Sequence, residues 1–346
     1  MPQPTSIITV TLNTAIDRVL EVHDFHIGEH VLAREAMRYP AGKGINVSRA
    51  LARIGRDNIA TGFVGQAEML EFDHLFSETG PGRAMCQLLA ARGATRENIT
   101  ILDPKNHTDT HVRTTGYELT RRDVQRMVSK LGLLARQGSM VVFTGSLPPG
   151  LDMADFDTLL YVCIGGGAKV VLDVGGKLLA DSTSLDMSGL ANVEPEPVGG
   201  TGGSKMLWMV KPNRAELAEA LGQPADALKD EAAVIDAGRR MARRVAWVVV
   251  TLGAEGALLF HQGHVWRGHC ELSSDEVVNT VGCGDCMMAG MLDAQAAGKG
   301  PEDVLRWGIA TATSNAALAG VAGFDRQRVT ELAERCTIVD ALSPSA

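Results

Sequence analysis

The chain lacks a basic surplus: 33 Lys and Arg against 41 Asp and Glu leave a formal net charge of −8. That balance excludes broad neutralisation of a phosphate backbone, so nucleic acid is not an expected partner and charged ligands should be small. Nor is there an apolar run near the roughly 20 residues that cross a bilayer, so no membrane partner is expected. The six cysteines, Cys86, Cys163, Cys270, Cys283, Cys286 and Cys336, are scattered, and no secretory pattern precedes Ile7. A disulfide framework is therefore not expected, and a cytoplasmic location with reduced thiols is. Cys283 and Cys286 alone make a C-x-x-C pair; without a second pair or a nearby His cluster, zinc or redox use of it is disfavoured. Internal repeats and long charge runs are also missing.

What is present is length and an apolar pattern. With 346 residues and 45% hydrophobic content, the chain can bury one large core, and a single α/β domain over 1–346 is expected. Runs rich in β-branched residues at Ile7 to Leu12, Met140 to Thr144, Lys169 to Val174, Leu207 to Lys211 and Val245 to Leu252 read as buried strands. Between them, Gly44 to Ile54, Asp152 to Cys163, Arg214 to Leu221, Ala232 to Arg243 and Asp285 to Ala297 read as helices. In Gly44 to Ile54 the apolar Val47, Leu51 and Ile54 share one face before Gly55, a natural stop. This alternation predicts a central, mostly parallel sheet flanked by helices. Two segments, 18–39 and 99–117, break the rhythm with short alternating patterns such as Thr110-His111-Val112-Arg113-Thr114, which predict a small second sheet. The Pro- and Gly-rich stretch 181–205 cannot pack a core and is expected to be a mobile loop insertion.

Chemistry concentrates where small residues precede helices. Asn279-Thr280-Val281-Gly282-Cys283-Gly284-Asp285 runs straight into an apolar helix. There the backbone N–H groups of Gly282, Cys283 and Gly284 can approach an anion, and Asp285 can accept a proton from an attacking hydroxyl. Taken alone, the segment fits a carboxylate helix cap equally well. Ala41-Gly42-Lys43-Gly44-Ile45-Asn46 also opens a helix, but Lys43 is followed by Gly44 where a Walker A loop needs Ser or Thr. Lys43 and Asn46 suit a second anionic or polyhydroxyl ligand, or a solvated turn. Asn13 and Asp17 follow the first strand, where ligands bind in open α/β sheets, though turn and cap roles also fit. Phe143 to Gly150 takes a strand into a turn at Gly145 and Ser146, whose backbone can face a ligand.

Together and in this order, these segments resemble the PfkB carbohydrate kinases, specifically their phosphosugar branch. Thr11 to Asp17 is similar to that family's opening motif, Ala41 to Arg49 to its Gly-Lys-Gly-Ile-Asn-Val signature, and Thr144 to Gly150 to its Gly-Ser-Leu-Pro turn. Lys211 to Leu217, Thr251 to Leu258 and Asn279 to Asp285 resemble its later motifs. The resemblance implies a ribokinase-like fold, a β lid that covers the sugar and pairs two subunits as a homodimer, and ATP with Mg2+ as phosphoryl donor. It implies Asp285 as base, Gly282 to Gly284 as anion hole, and Asp17, Gly42, Lys43, Asn46 and Ser146 at the sugar. Thr95-Arg96-Glu97-Asn98 resembles an element whose arginine holds the substrate's phosphate, making Arg96 and Asn98 substrate residues. Asn213 and Glu216 would order magnesium, Glu216 through water, and Thr251, Gly253 and Gly256 would line the nucleotide. Cys283 and Cys286 stand where the family has small Ala and Ser, and Asp173-Val174-Gly175-Gly176-Lys177 replaces its Asp-Ser-Ser-Gly-Glu. The expected activity is ATP-dependent phosphorylation of fructose 1-phosphate, with tagatose 6-phosphate and fructose 6-phosphate as alternative acceptors. A catalytically silent sugar-phosphate sensor is the alternative of another class.

Overall fold

A strand with no polar face needs cover on both sides, and the β-branched runs find it here. The computed structural model describes residues 5–77, 80–184, 207–224, 226–273, 275–324 and 326–342. Its strands are β1 (Ile7–Thr11), β2 (Ala15–Glu21), β3 (Arg34–Ala41), β4 (Asn58–Gly65), β5 (Ala84–Ala91), β6 (Arg96–Asp103), β7 (Thr108–Arg113), β8 (Met140–Gly145), β9 (Lys169–Val174), β10 (Leu207–Val210), β11 (Val245–Thr251), β12 (Ala257–His261), β13 (His264–His269) and β14 (Thr337–Asp340). Ten of them form one sheet in the order β14-β13-β12-β11-β10-β9-β8-β1-β4-β5. Neighbours from β11 to β5 are parallel, and β11 to β14 close the other edge antiparallel. Helices cover both faces in two apolar layers, one around Phe143, Phe156 and Phe260, the other around Leu51, Met288 and Leu292. The fold is thus the expected mostly parallel α/β architecture.

The five strands expected in the central sheet are present within a residue of their expected ends. The Lys43–Ile54 helix buries Val47, Leu51 and Ile54 and stops at Gly55, whose φ of 94° ends it in the left-handed region. The second sheet has the order β3-β2-β6-β7. It starts earlier in each segment than the alternation suggested, at Ala15 and at Arg96, so Arg96 and Asn98 lie on a strand of the lid. Since β2 follows β1 and β6 follows β5, the lid grows from the carboxyl edge of the central sheet, where open α/β folds place their ligands. Of the expected loop insertion, Asp181 and Ser182 end the Gly176–Ser182 helix, and 185–206 lies outside the described residues. Among the described residues no helix is long and apolar enough to cross a membrane.

Candidate active site

One cavity of about 370 Å³ lies at that carboxyl edge, and most of the expected site residues line it: Asp17, Gly42, Lys43, Asn46, Arg96, Asn98, Asn213, Glu216, Thr251, Gly282, Gly284 and Asp285. Ser146, Cys283, Gly253 and Gly256 do not line it. Ser146 instead accepts a hydrogen bond from the Asn13 amide at 3.1 Å. Gly256, at φ 97°, is demanded by the sheet, because a Cβ there would sit 2.0 Å from the Gly268 carbonyl oxygen. Asp173, Lys211 and Val281 also face the cavity, and none of the three was expected to have a role in it.

The floor is the start of the Cys283–Ala296 helix, which has no side-chain cap. Its entry is set by Gly282, whose φ of 77° and closeness to Val321, 2.4 Å from an imagined Cβ, leave no room for a side chain. The Cys283 N–H bonds weakly back to the Thr280 carbonyl at 3.3 Å, and the first regular helical bond runs from Cys286 to Gly282. The amides of Gly284 and Asp285 therefore have no carbonyl one turn back, which makes this end a place for negative charge.

Asp285 stands there with 6% of its surface exposed. The Asn46 amide, carried by the facing helix, donates to its Oδ2 at 2.8 Å. Burial chiefly, and the charge of Asp173 next, push the Asp285 carboxyl up to about 7 against the opposing pull of Asn46, Lys43 and Lys211. A carboxyl with that proton affinity takes up and releases a proton near neutral pH.

Asp173, at the end of β9, is 2% exposed. Its two oxygens have no hydrogen-bond partner among the described residues. The cations beside it are Lys211, with Nζ 3.3 Å from Oδ1, and Lys43, at 3.7 Å. Lys43 also lies 4.0 Å from Glu216; Asp173 first, then Glu216 and Asp285, hold its ammonium above its ordinary proton affinity against burial. Lys211 is buried and reaches the helix start, since a Cβ on Gly284 would come within 3.3 Å of its Nζ. Two ammonium groups and a helix N-terminus thus converge on one end of the cavity.

The lid supplies the opposite chemistry. Parallel register sets Asp17 beside Asn98 and Ala15 beside Arg96, and the Asn98 amide donates to Asp17 Oδ1 at 2.7 Å. Arg96 is held in a fork by the carbonyls of Thr14 and Asn13 and by Asn98 Oδ1, at 3.3 to 3.4 Å. These long bonds leave guanidinium donors for a planar anion. Tyr39, across the lid from Asp17, is pushed up to about 12 by burial and by that carboxylate, so its hydroxyl stays protonated.

At the other wall Asn213 and Glu216 form a reciprocal cap. Asn213 Oδ1 accepts from the Glu216 N–H at 2.9 Å, and Glu216 Oε2 accepts from the Asn213 N–H at 2.8 Å. Glu216 Oε1 is left facing the cavity side near Lys43. Among the described residues no three His, Cys, Asp or Glu side chains converge as a ready metal cage. Two unbonded Asp173 oxygens and Glu216 Oε1 are nevertheless hard donors of the kind that suit magnesium, which takes few protein ligands and fills the rest with phosphate and water.

Comparison with known proteins identifies the family and the fold. The chain is 28% identical over 340 residues to a 1-phosphofructokinase of Vibrio cholerae, covering 98% of each chain. It is 30% identical over 330 residues to a 1-phosphofructokinase of Escherichia coli K12, covering 95% of this chain and 96% of that one. In fold it is similar to a mutant of phosphofructokinase-2 from Escherichia coli, with a TM-score of 0.81 at 21% identity over 95% of this chain and 98% of that one. A possible 1-phosphofructokinase from Thermotoga maritima gives a TM-score of 0.74 at 24% identity, over 97% and 99%. The model of the pfkB family carbohydrate kinases matches residues 7–193 and 203–324, so the chain belongs to that family, whose members are phosphotransferases with an alcohol group as acceptor.

Proposed function

We propose that this sugar-phosphate kinase transfers a phosphoryl group from ATP to the free primary hydroxyl of a ketohexose phosphate, with fructose 1-phosphate as substrate. The observation that carries the reading is one cavity that holds a carboxyl poised near 7, a forked guanidinium on the lid and two ammonium groups at a helix start. A phosphosugar has the matching parts: an anion for Arg96, hydroxyls for Asp17 and Asn98, and a primary hydroxyl whose proton Asp285 can accept. Relatives named 1-phosphofructokinase at 28% and 30% identity support the choice of acceptor.

In this reading Asp285 accepts the proton of the attacking hydroxyl, and the Asn46 amide fixes which carboxylate oxygen faces away from it. Lys43, Lys211 and the amides at Gly282 to Asp285 hold the charge that spreads over the transferring group. Glu216, through water, and Asp173 would hold magnesium, which when bound neutralises charge on the donor's phosphates. Thr251, bridged to Asn213 across the strand ends, and Gly253 border the nucleotide. The lid exposes Ile27 and Leu32 almost fully, at 97% each; that exposed apolar edge supports a homodimer, in which a second copy would cover it, and light scattering would weigh this.

The test is coupled ADP release with MgATP against fructose 1-phosphate, fructose 6-phosphate, tagatose 6-phosphate and unphosphorylated fructose, with Asp285→Asn as control. Turnover of fructose 1-phosphate, lost in the control, supports the reading. Preference for another phosphosugar corrects the acceptor alone. Turnover of fructose only removes the role of Arg96, and phosphosugar binding without turnover makes the protein a sensor.

A further inference from the structure

Two thiols outside the cavity flank the last paired rung of a strand ladder. β13 and β14 pair antiparallel with Gly268 opposite Ile338 and His269 opposite Thr337, and Cys270 and Cys336 are the residues immediately beyond that last pair. Opposed residues of the ladder have Cα atoms about 4.5–5.5 Å apart, which places the residues just past its end near the roughly 4.4–6.8 Å that a disulfide spans. The two cysteines meet at one carbonyl: the Cys270 thiol donates to the Leu332 oxygen at 3.6 Å, and the Cys336 N–H donates to the same oxygen at 3.1 Å. Both are nearly closed off, at 7% and 5% exposure, within the apolar layer that packs on this edge of the sheet.

Their surroundings differ. The neighbouring Cys336 thiol first, then Thr313, Arg335 and Arg328, hold the Cys270 thiol below its ordinary proton affinity against burial. Cys336 is pushed up by its closeness to Cys270 and by burial. With two arginines beside it, Cys270 is the attacking thiol of the pair and Cys336 the resolving one. The pair beside the catalytic helix is less suited, because burial pushes both Cys283 and Cys286 up.

We propose that Cys270 and Cys336 are a reversible redox site that closes to a cross-strand disulfide on contact with a small peroxide. The Cys270 thiolate attacks one oxygen of hydrogen peroxide; the O–O bond breaks, hydroxide leaves, and the sulfur becomes a sulfenic acid. Cys336 then attacks that sulfur, the S–O bond breaks, and the departing oxygen leaves as water. The two thiols lose two electrons and two protons, and the peroxide is reduced to two waters. The closed loop runs from 270 to 336 and contains Gly282, Asp285 and the entire Cys283–Ala296 helix. Neither cysteine lines the cavity, so the bond restricts the unfolded chain without blocking the site. The oxidised protein should be active and more heat-resistant.

The experiment titrates the full-length protein with hydrogen peroxide, alkylates remaining thiols, and maps unreduced peptides by mass spectrometry beside a thermal melt. Expected is a linked Cys270–Cys336 peptide appearing before any change at Cys283 or Cys286, with a Tm several degrees higher that dithiothreitol reverses. Cys336→Ser should leave a sulfenic acid on Cys270, captured by dimedone, with no gain in Tm, and Cys270→Ala should show neither product. Full alkylation of Cys270 and Cys336 in wild type while Cys283 or Cys286 oxidises would overturn the proposal. A linked protein whose Tm does not rise would overturn the stabilising role.

Discussion

Replacing Asp173 by Asn removes one charge from the site and hardly changes its shape. Asp285 has its carboxyl pushed from 3.8 to about 7, by burial first and by the Asp173 charge second. As a base it works only when ionised, so kcat/KM for the acceptor should rise about tenfold per pH unit up to about 7 and then level. The substitution deletes the like charge and frees Lys211 and Lys43 from ion pairs at 3.3 and 3.7 Å. Each change favours the ionised carboxyl. Loss of one like charge from a shared, buried site is expected to displace the carboxyl by about one pH unit, roughly 1.4 kcal/mol. With the limb near 6, the ionised fraction at that pH grows from about one tenth to about one half, roughly a fivefold gain relative to each enzyme's own plateau. The plateau itself should fall, because the two ammonium groups lose their anchor. Initial rates at low acceptor and saturating donor across the neutral range read the limb directly. A limb that stays in place or moves to higher pH would refute the coupling, and Lys211→Met should move it upward.

Asp285→Asn should abolish turnover and yet stabilise the fold. A carboxyl raised on folding contributes stability that is whole below its unfolded value of 3.8 and is lost as pH rises through about 7; thermal melts should show the variant ahead by a few degrees above neutrality, with the gap closing toward pH 4. The upper bound on that gain is about 4 kcal/mol. Arg96→Ala should raise KM for the phosphosugar about 30- to 100-fold with little effect on KM for ATP, and Arg96→Lys should recover little, because an ammonium cannot reproduce the fork over Thr14, Asn13 and Asn98. Gly282→Ala should cost about 1–3 kcal/mol in urea unfolding and lower kcat, since its methyl would meet Val321 at a φ of 77°.

Features set by one stretch of backbone were legible in the sequence. The buried parallel strands show as β-branched runs, and the lid shows as exposed alternation, with β7 wholly exposed. The uncapped start of the Cys283–Ala296 helix, the proposed anion hole, shows as glycine before an apolar helix. β5 was missed because Ala84–Ala91, AMCQLLAA, is built of good helix formers, and only pairing with β4 makes it a strand. The finer electrostatics were not legible for a related reason. Asp173 and Lys211 sit at the ends of neighbouring strands, far apart in sequence, and Lys43 is further still; what joins them is the adjacency of β9 and β10 and the helix start facing both. A charged residue ending an apolar strand marks a candidate ligand contact, but which charges share a cavity depends on strand order. Cys270 and Cys336 carry the same lesson, since only the pairing of β13 with β14 brings the chain on either side of them together. Proton affinity and thiol reactivity in this protein are thus properties of sheet topology, and variants that leave every motif intact while altering strand-end charges should change the pH dependence before they change the fold.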